Sequence, residues 1–577
     1  MISRYLSSNS KTMMNKLQTF ILVGLSLTAT KSQAQYNKLR IPDTMSGKTF
    51  NLVLKDTFTQ FKTGQTTITA GVNSNFWGPT LIFNQGDTVH MNILNKLNDS
   101  TTVHWHGFHL PAVMDGGPHQ VIPPNTVWRP YWKVQNDAAT YWYHPHLHEM
   151  TQEQMTKGLG GLIIVRDAVE GALALPRTYG IDDIPVVLTS RRYSASNQFV
   201  SKNSAYGDYM FTNGTTNAEF TIPKQVVRLR ILNAEMERSY NLGFSDNRTF
   251  YVISSGGGLF DKPIALTRLP IHVGERYEIL VDCSKDAVGT TFDLNAFNSG
   301  QSQSFPGGEP ATGGEFGSLL NNKTFTTLHF TIGSSTSNPI NSIPTALRTN
   351  TYITAADATV SRTVNITNGN PGSGIPFDLD NKPFNLNTIN HIVTTGTTEK
   401  WTVKNNNVFG HCFHIHDVQF KLVSRSTGAI GVYEAGWKDN FFISKNESVS
   451  FVARFVDYAD ETHPFMYHCH FANHEDGGMM GQFVVTSTNG LSKAVNQPFL
   501  FSVYPNPAKN NLKIELGQNI EAYYVTINNV VGKTVMMLPQ PEIGQPIDIS
   551  NLSSGTYFLQ VMDKHTKSVS TQKFIKE

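Results

Sequence analysis

At 577 residues the chain is long enough for about four domains of ~150 residues each. With 39% hydrophobic and 16% charged residues it has the composition of an ordinary soluble globular protein. A formal net charge of +2, with no basic stripe, excludes a nucleic-acid binder and calls for no strongly charged partner.

Residues 1–34 have the pattern of a secretory leader. Lys11 and Lys16 form a basic start, Phe20–Leu27 an apolar run, and Ser32-Gln33-Ala34 a small-residue cleavage site. Met13 or Met14 as the first residue gives a leader of more ordinary length. The apolar run is too short to span a bilayer, and no later stretch is suited to cross one. The leader has no twin-arginine pair, so any metal is loaded after export.

Residues 35–167 show short runs of strand-forming residues broken by turn signals, among them Thr49–Leu54, Thr88–Leu94 and Gly160–Val165. This pattern predicts a β-sandwich. Two histidine pairs lie in it, His104-Trp105-His106-Gly107 and His144-Pro145-His146. In an extended chain the two imidazoles of each pair point to the same side.

Residues 168–345 continue in strand-like runs such as Val226–Leu232, Tyr251–Ser254 and Arg276–Cys283. Ser255-Gly256-Gly257-Gly258 is a turn, because it lacks the lysine and the following helix of a phosphate loop. Ser302–Gly317, rich in Gly, Ser and Pro, is expected to be a mobile loop. With only unclustered histidines, this domain is expected to be a spacer.

Residues 346–490 form a third sandwich with strands at Glu399–Val403 and Ser448–Phe455. It holds His411-Cys412-Phe413-His414-Ile415-His416 and His468-Cys469-His470, with His474 and Met479 just downstream. In a strand His468 and His470 reach one side and Cys469 the other. Two imidazoles (His411, His474), the thiolate of Cys469 and the weak thioether of Met479 form the ligand set of an electron-transfer copper. The histidine pair on the opposite face suits a second, nitrogen-ligated metal site.

Ten of the 19 histidines fall in these four motifs. His90, His272, His329, His391 and His565 stand alone and are expected to be core or surface residues. Closed zinc sites take four ligands and do not absorb ten histidines. Three cysteines in an exported chain do not make a disulfide scaffold. Cys283 is expected to be a small core residue, and Cys412 to have a packing role.

Residues 498–577 change character and carry no ligand cluster. The Val503-Tyr504-Pro505-Asn506-Pro507 opening, Leu552-Ser553-Ser554-Gly555-Thr556-Tyr557-Phe558 and the basic end Lys573-Phe574-Ile575-Lys576 resemble the C-terminal sorting domain of type IX secretion cargo. That resemblance implies an address recognised by the secretion machinery, cleaved or lipid-linked on export, and a secreted or outer-membrane-surface product.

Residues 40–490 resemble a three-domain multicopper oxidase of the laccase, bilirubin-oxidase and cuprous-oxidase group. The resemblance rests on His104-Trp105-His106-Gly107, His144-Pro145-His146, His411-x-x-His414-x-His416 and His468-Cys469-His470-x-x-x-His474-x-x-x-x-Met479. It implies an all-β chain of three cupredoxin-like Greek-key sandwiches, followed by the small β-sandwich sorting domain. It also implies four copper ions. His411, Cys469, His474 and axial Met479 hold the type 1 copper, and His104 and His414 the type 2. His106, His144 and His470 hold one type 3 ion, and His146, His416 and His468 the other.

Asp115, in Met114-Asp115-Gly116-Gly117-Pro118, and Glu475 match acidic residues that supply protons in similar enzymes. The implied catalytic set is therefore Asp115, Glu475, Cys469 and His474. Two residues depart from the family pattern: Cys412 stands where proline is usual, and Asp417 where glycine is common. The axial Met predicts a modest type 1 potential. The implied activity is one-electron oxidation of phenols or aromatic amines, coupled to reduction of O2 to water. Oxidation of cuprous ion is the rival, and it favours a methionine-rich insert that this chain lacks. A copper-free binding or assembly protein of the same fold is the reading from another class. It predicts missing ligands, whereas all twelve are present.

Overall fold

The computed structural model describes residues 35–577 apart from 203–205, 312–315, 370–376, 488–500, 517–522, 531–532, 539–540, 543 and 564–568. The expected leader and His565 lie outside the described residues. Strands dominate, and the chain divides into two compact units, one ending at Thr486 and one starting at Ser487.

The first sandwich pairs a sheet of Thr44–Ser46, Thr80–Asn84, Gly161–Arg166, Ala139–His144 and His104–His106 with a second sheet built on Thr49–Lys62. Alternation sets its core: Phe50, Leu52 and Leu54 are buried while Thr49 and Asn51 are exposed. Trp105, Tyr141 and Tyr143 join that core. Their strand neighbours His104, His106, Trp142 and His144 therefore point the other way, yet Ala139–His144 is buried along its whole length. Its second face is covered by the rest of the unit.

The middle sandwich has a seven-stranded and a six-stranded sheet. The strand Val226–Asn233 turns Arg228 and Arg230 outward into a buried ion network. Arg228 Nη1 lies 2.6 Å from Glu170 Oε1, Arg230 Nε 2.6 Å from Asp183 Oδ1, and Arg230 Nη1 2.6 Å from Glu278 Oε1. Thr140 Oγ1 donates to Glu278 Oε1 at 2.7 Å, which fixes this sheet to the first-sandwich strand that carries His144.

In the third sandwich one sheet runs in the order His391–Thr394, Met480–Thr486, Asp460–Cys469, His411–Ile415, Asn440–Ile443. Its register sets His414 opposite His468, and Phe413 opposite Cys469. Cys412, Phe413, Cys469 and Met479 lie in the sandwich core. All three cysteines are free and buried, with Cys283 in the middle core as expected. Ser255–Gly258 is a bend between strands, and the described residues of Ser302–Gly317 contain neither strand nor helix. The second unit has a three-stranded and a four-stranded sheet around Leu512, Val525, Ile527, Leu559, Val561 and Phe574.

Candidate metal centre

His411 opens one strand, Cys469 closes the next, and the short helix Ala472–Asp476 brings back His474. Cys469 Sγ lies 3.6 Å from His411 Nδ1 and 3.5 Å from His474 Nδ1, and the two nitrogens are 3.2 Å apart. The Nε2 of His411 donates to Asn407 Oδ1 at 3.1 Å, which leaves Nδ1 as the free acceptor. Met479 is buried beside them, its carbonyl accepting from Cys469 N at 3.1 Å. Burial pushes the Cys469 thiol up to about 12 and the His474 imidazole down to about 3. Imidazoles held neutral beside a thiol that needs a cation to ionise are the donor set of a soft metal.

The outer cluster opens to a cleft of about 20 Å³ lined by Tyr206, Glu237, Glu309, Phe377, Phe409 and His474. Phe377 packs 4.6 Å from the His474 ring. Phe409, at the rim, is 44% exposed.

Eight further histidines converge behind Cys469. His104, His106 and His414 bring ligand atoms within 4.8 Å of one another, as do His106, His144 and His470, and again His146, His416 and His468. Strand pairing explains the meeting, because His104 faces His144 just as His414 faces His468. Main-chain carbonyls fix four of the rings. The Nδ1 atoms of His104, His144, His414 and His468 donate to the carbonyls of Asp115, Pro145, Asp439 and Cys469 at 3.0, 2.9, 2.8 and 3.0 Å. Each then turns Nε2 inward.

Carboxylates hold two more. His416 Nδ1 donates to Asp115 Oδ2 at 2.6 Å. His146 Nδ1 lies 3.0 Å from Glu475 Oε1, in ion-pair contact rather than hydrogen-bond alignment. His106 is reversed: its Nε2 donates to Asp439 Oδ1 at 3.2 Å, and its Nδ1 lies 3.1 Å from His470 Nε2.

Burial, reinforced by the neighbouring imidazoles, holds His106, His144, His414 and His416 well below their usual range, and therefore neutral. Burial alone would raise Glu475, but His146 and His468 outweigh it and keep the carboxylate ionised. The Nε2 atoms of His104, His144 and His414 are buried without a hydrogen-bond partner. Such orphaned lone pairs are costly in an interior unless a metal takes them.

The middle domain is not a spacer. Gly274, at φ +80°, packs so close that a Cβ there would lie 3.0 Å from the His470 ring. Arg276 reaches Asp439 with Nη1–Oδ1 at 2.7 Å and Nη2–Oδ2 at 2.5 Å. These contacts come from single residues outside any histidine motif, so the sequence reading missed them. It also missed Thr151, whose Oγ1 donates to Glu475 Oε1 at 2.7 Å. His109 was missed as well: its Nδ1 donates to Asp417 Oδ1 at 2.7 Å, which gives that departure from glycine a partner. The one signal in the sequence was Asp417 itself, an aspartate directly after His416 where glycine is common, and the structure holds it at φ +72°, a conformation that favours glycine.

Models of the multicopper oxidase family match residues 54–170, 189–311 and 355–489, more than half of the chain. The chain belongs to the multicopper oxidase family. A secretion system C-terminal sorting domain matches residues 502–577. Among relatives of known name, a bilirubin oxidase of Albifimbria verrucaria is 31% identical over 71% of this chain and 71% of its own. The cell division protein FtsP of Xenorhabdus nematophila is 30% identical over 72% of this chain and 84% of its own. The solved structure of a laccase-like multicopper oxidase, CueO, from Ochrobactrum sp. superimposes with a TM-score of 0.70 at 30% identity. It covers 78% of this chain and 100% of its own. The donors present fit the copper that a multicopper oxidase binds: thiolate, thioether and imidazole outside, imidazole alone inside.

Proposed function

We propose that this multicopper oxidase is a secreted, laccase-like enzyme that oxidises phenols or aromatic amines one electron at a time and reduces O2 to water. The observation that carries the reading is the run His468-Cys469-His470, in which one thiol belongs to the outer cluster and its two neighbours to the inner one. We assign His411, Cys469, His474 and axial Met479 to a type 1 copper, and His104 and His414 to a type 2. His106, His144 and His470 take one type 3 ion, and His146, His416 and His468 the other. The three-histidine groups around the inner space support this grouping.

When bound, these four ions supply the redox chemistry, accepting single electrons outside and reducing O2 inside. The protein fixes the path between them: His468 Nδ1 donates to the carbonyl of Cys469 at 3.0 Å, so a hydrogen bond runs beside the covalent link. Asp115 at His416, and Glu475 at His146 with Thr151 behind it, place carboxylates where protons are needed. The cleft itself, about 20 Å³, holds no more than a water, so an aromatic donor docks at its rim, where exposed Phe409 packs on Phe377 and Phe377 on the His474 ring. No methionine lines that cleft among the described residues, which weighs against cuprous ion. The sorting domain directs the product through the type IX machinery to the cell surface or medium.

The test is copper quantification and an absorption spectrum on purified protein, followed by O2 uptake with phenols against Cu(I). Four coppers per chain, a blue thiolate band and faster uptake with phenols are expected. A single copper, or a colourless protein after full loading, would overturn the oxidase reading. Faster turnover of Cu(I) would overturn the substrate assignment alone.

A further inference from the structure

Seven of the eight inner histidines turn Nε2 toward the centre, and His106 alone turns Nδ1. A neutral imidazole carries one N–H, and the nitrogen without it is the ligand atom. The group bonded to the far nitrogen therefore decides which atom a metal meets. For His106 that group is Asp439. A carboxylate only accepts, so it holds the proton on Nε2 and frees Nδ1.

Asp439 is itself held rigidly. Arg276 grips both oxygens as a fork, and Gln419 Nε2 adds a bond to Oδ2 at 3.3 Å. The guanidinium in turn donates to the carbonyls of Thr140, Gly274 and Gly256 at 3.2, 3.1 and 3.2 Å. Arg276 and Asp439 are each 1% exposed and His106 is fully buried. The three come from the middle, third and first sandwiches in that order.

We propose that Asp439, clamped by Arg276, is a positioning residue for the inner metal cluster, fixing His106 with Nδ1 as its ligand atom. The proposal rests on the four-copper reading. It makes docking of the middle domain a condition for a complete inner site.

The competing role is plain interdomain adhesion, and the structure supplies a control for it. One residue along the same seam, Lys438 Nζ pairs with Glu275 Oε1 at 2.7 Å, with no ligand histidine attached. Asp439 also orients His414, but through its main-chain carbonyl, which a side-chain substitution leaves in place. In Asp439→Asn the single amide oxygen is claimed by Arg276, leaving the NH2 toward His106 Nε2. That favours the opposite tautomer.

The experiment compares full-length wild type, Asp439→Asn and Glu275→Gln after copper loading. It reads copper per chain, blue absorbance, the number of paramagnetic coppers by EPR, and the thermal midpoint. Asp439→Asn is expected to keep the blue band and lose about 10–100-fold in affinity for inner copper, with extra paramagnetic copper from an uncoupled pair. Glu275→Gln is expected to lower the midpoint while retaining all copper. Arg276→Lys, which keeps the charge without the fork, is expected to lose inner copper to a smaller degree. It serves alone should Asp439→Asn not fold.

Wild-type copper content and coupling in Asp439→Asn or, where that variant does not fold, in Arg276→Lys would overturn the proposal. Equal loss of inner copper in Glu275→Gln would also overturn it, by reducing the pair to adhesion. A wild type without a coupled pair would overturn the four-copper reading, and this proposal with it.

Discussion

Glu475 Oε1 lies 3.0 Å from His146 Nδ1, and Glu475 directly follows His474 in the chain. One short helix thus carries an outer ligand and the carboxylate that steadies an inner one. Glu475→Gln removes the charge while keeping the shape. We expect turnover to fall about 10–100-fold with the blue band unchanged, measured by O2 uptake beside the absorption spectrum. Unchanged turnover would remove Glu475 from the proton route.

Cys469 is the sole thiol in the outer cluster. Cys469→Ser offers a hard hydroxyl in place of a soft thiolate, so the blue band should vanish and turnover should drop at least about 100-fold. Inner copper should remain, visible as three coppers per chain. Retained oxidase activity would refute the route through this residue.

Burial would lower His109, but Asp417 and Asp457 outweigh it and raise the imidazole from 6.5 to about 9. A pKa raised on folding adds stability that is full below about pH 6.5 and lost as pH rises through about 9. The side chain is 17% exposed, and the contribution is at most about 3 kcal/mol. The thermal midpoint of wild type should therefore fall between these limits. In His109→Gln that part of the fall should disappear, and parallel pH profiles would refute it.

The histidine and cysteine clusters were legible because each motif carries its own geometry. His-x-His in a strand sends both rings one way, and the thiol between His468 and His470 must face the opposite side. The β-sandwich class was legible for a similar reason, since alternation such as Phe50, Leu52, Leu54 is local. Arg276, Asp439 and Gly274 were not legible. Each acts singly, across a domain boundary, and its meaning depends on a residue more than 150 positions away. An arginine in a strand that reads Arg-Tyr-Glu-Ile-Leu-Val-Asp gives no local sign of a buried carboxylate partner. For that reason a domain without histidine motifs looked like a spacer.

His106 and His470 stand 364 residues apart yet touch. A ribosome releases the first of them long before the second, and domains fold in that order. An incomplete product ending before the third sandwich would own four of the inner imidazoles and none of the three-histidine groups complete. The inner site is thus a property of the finished chain, assembled only when its last large domain has joined the first.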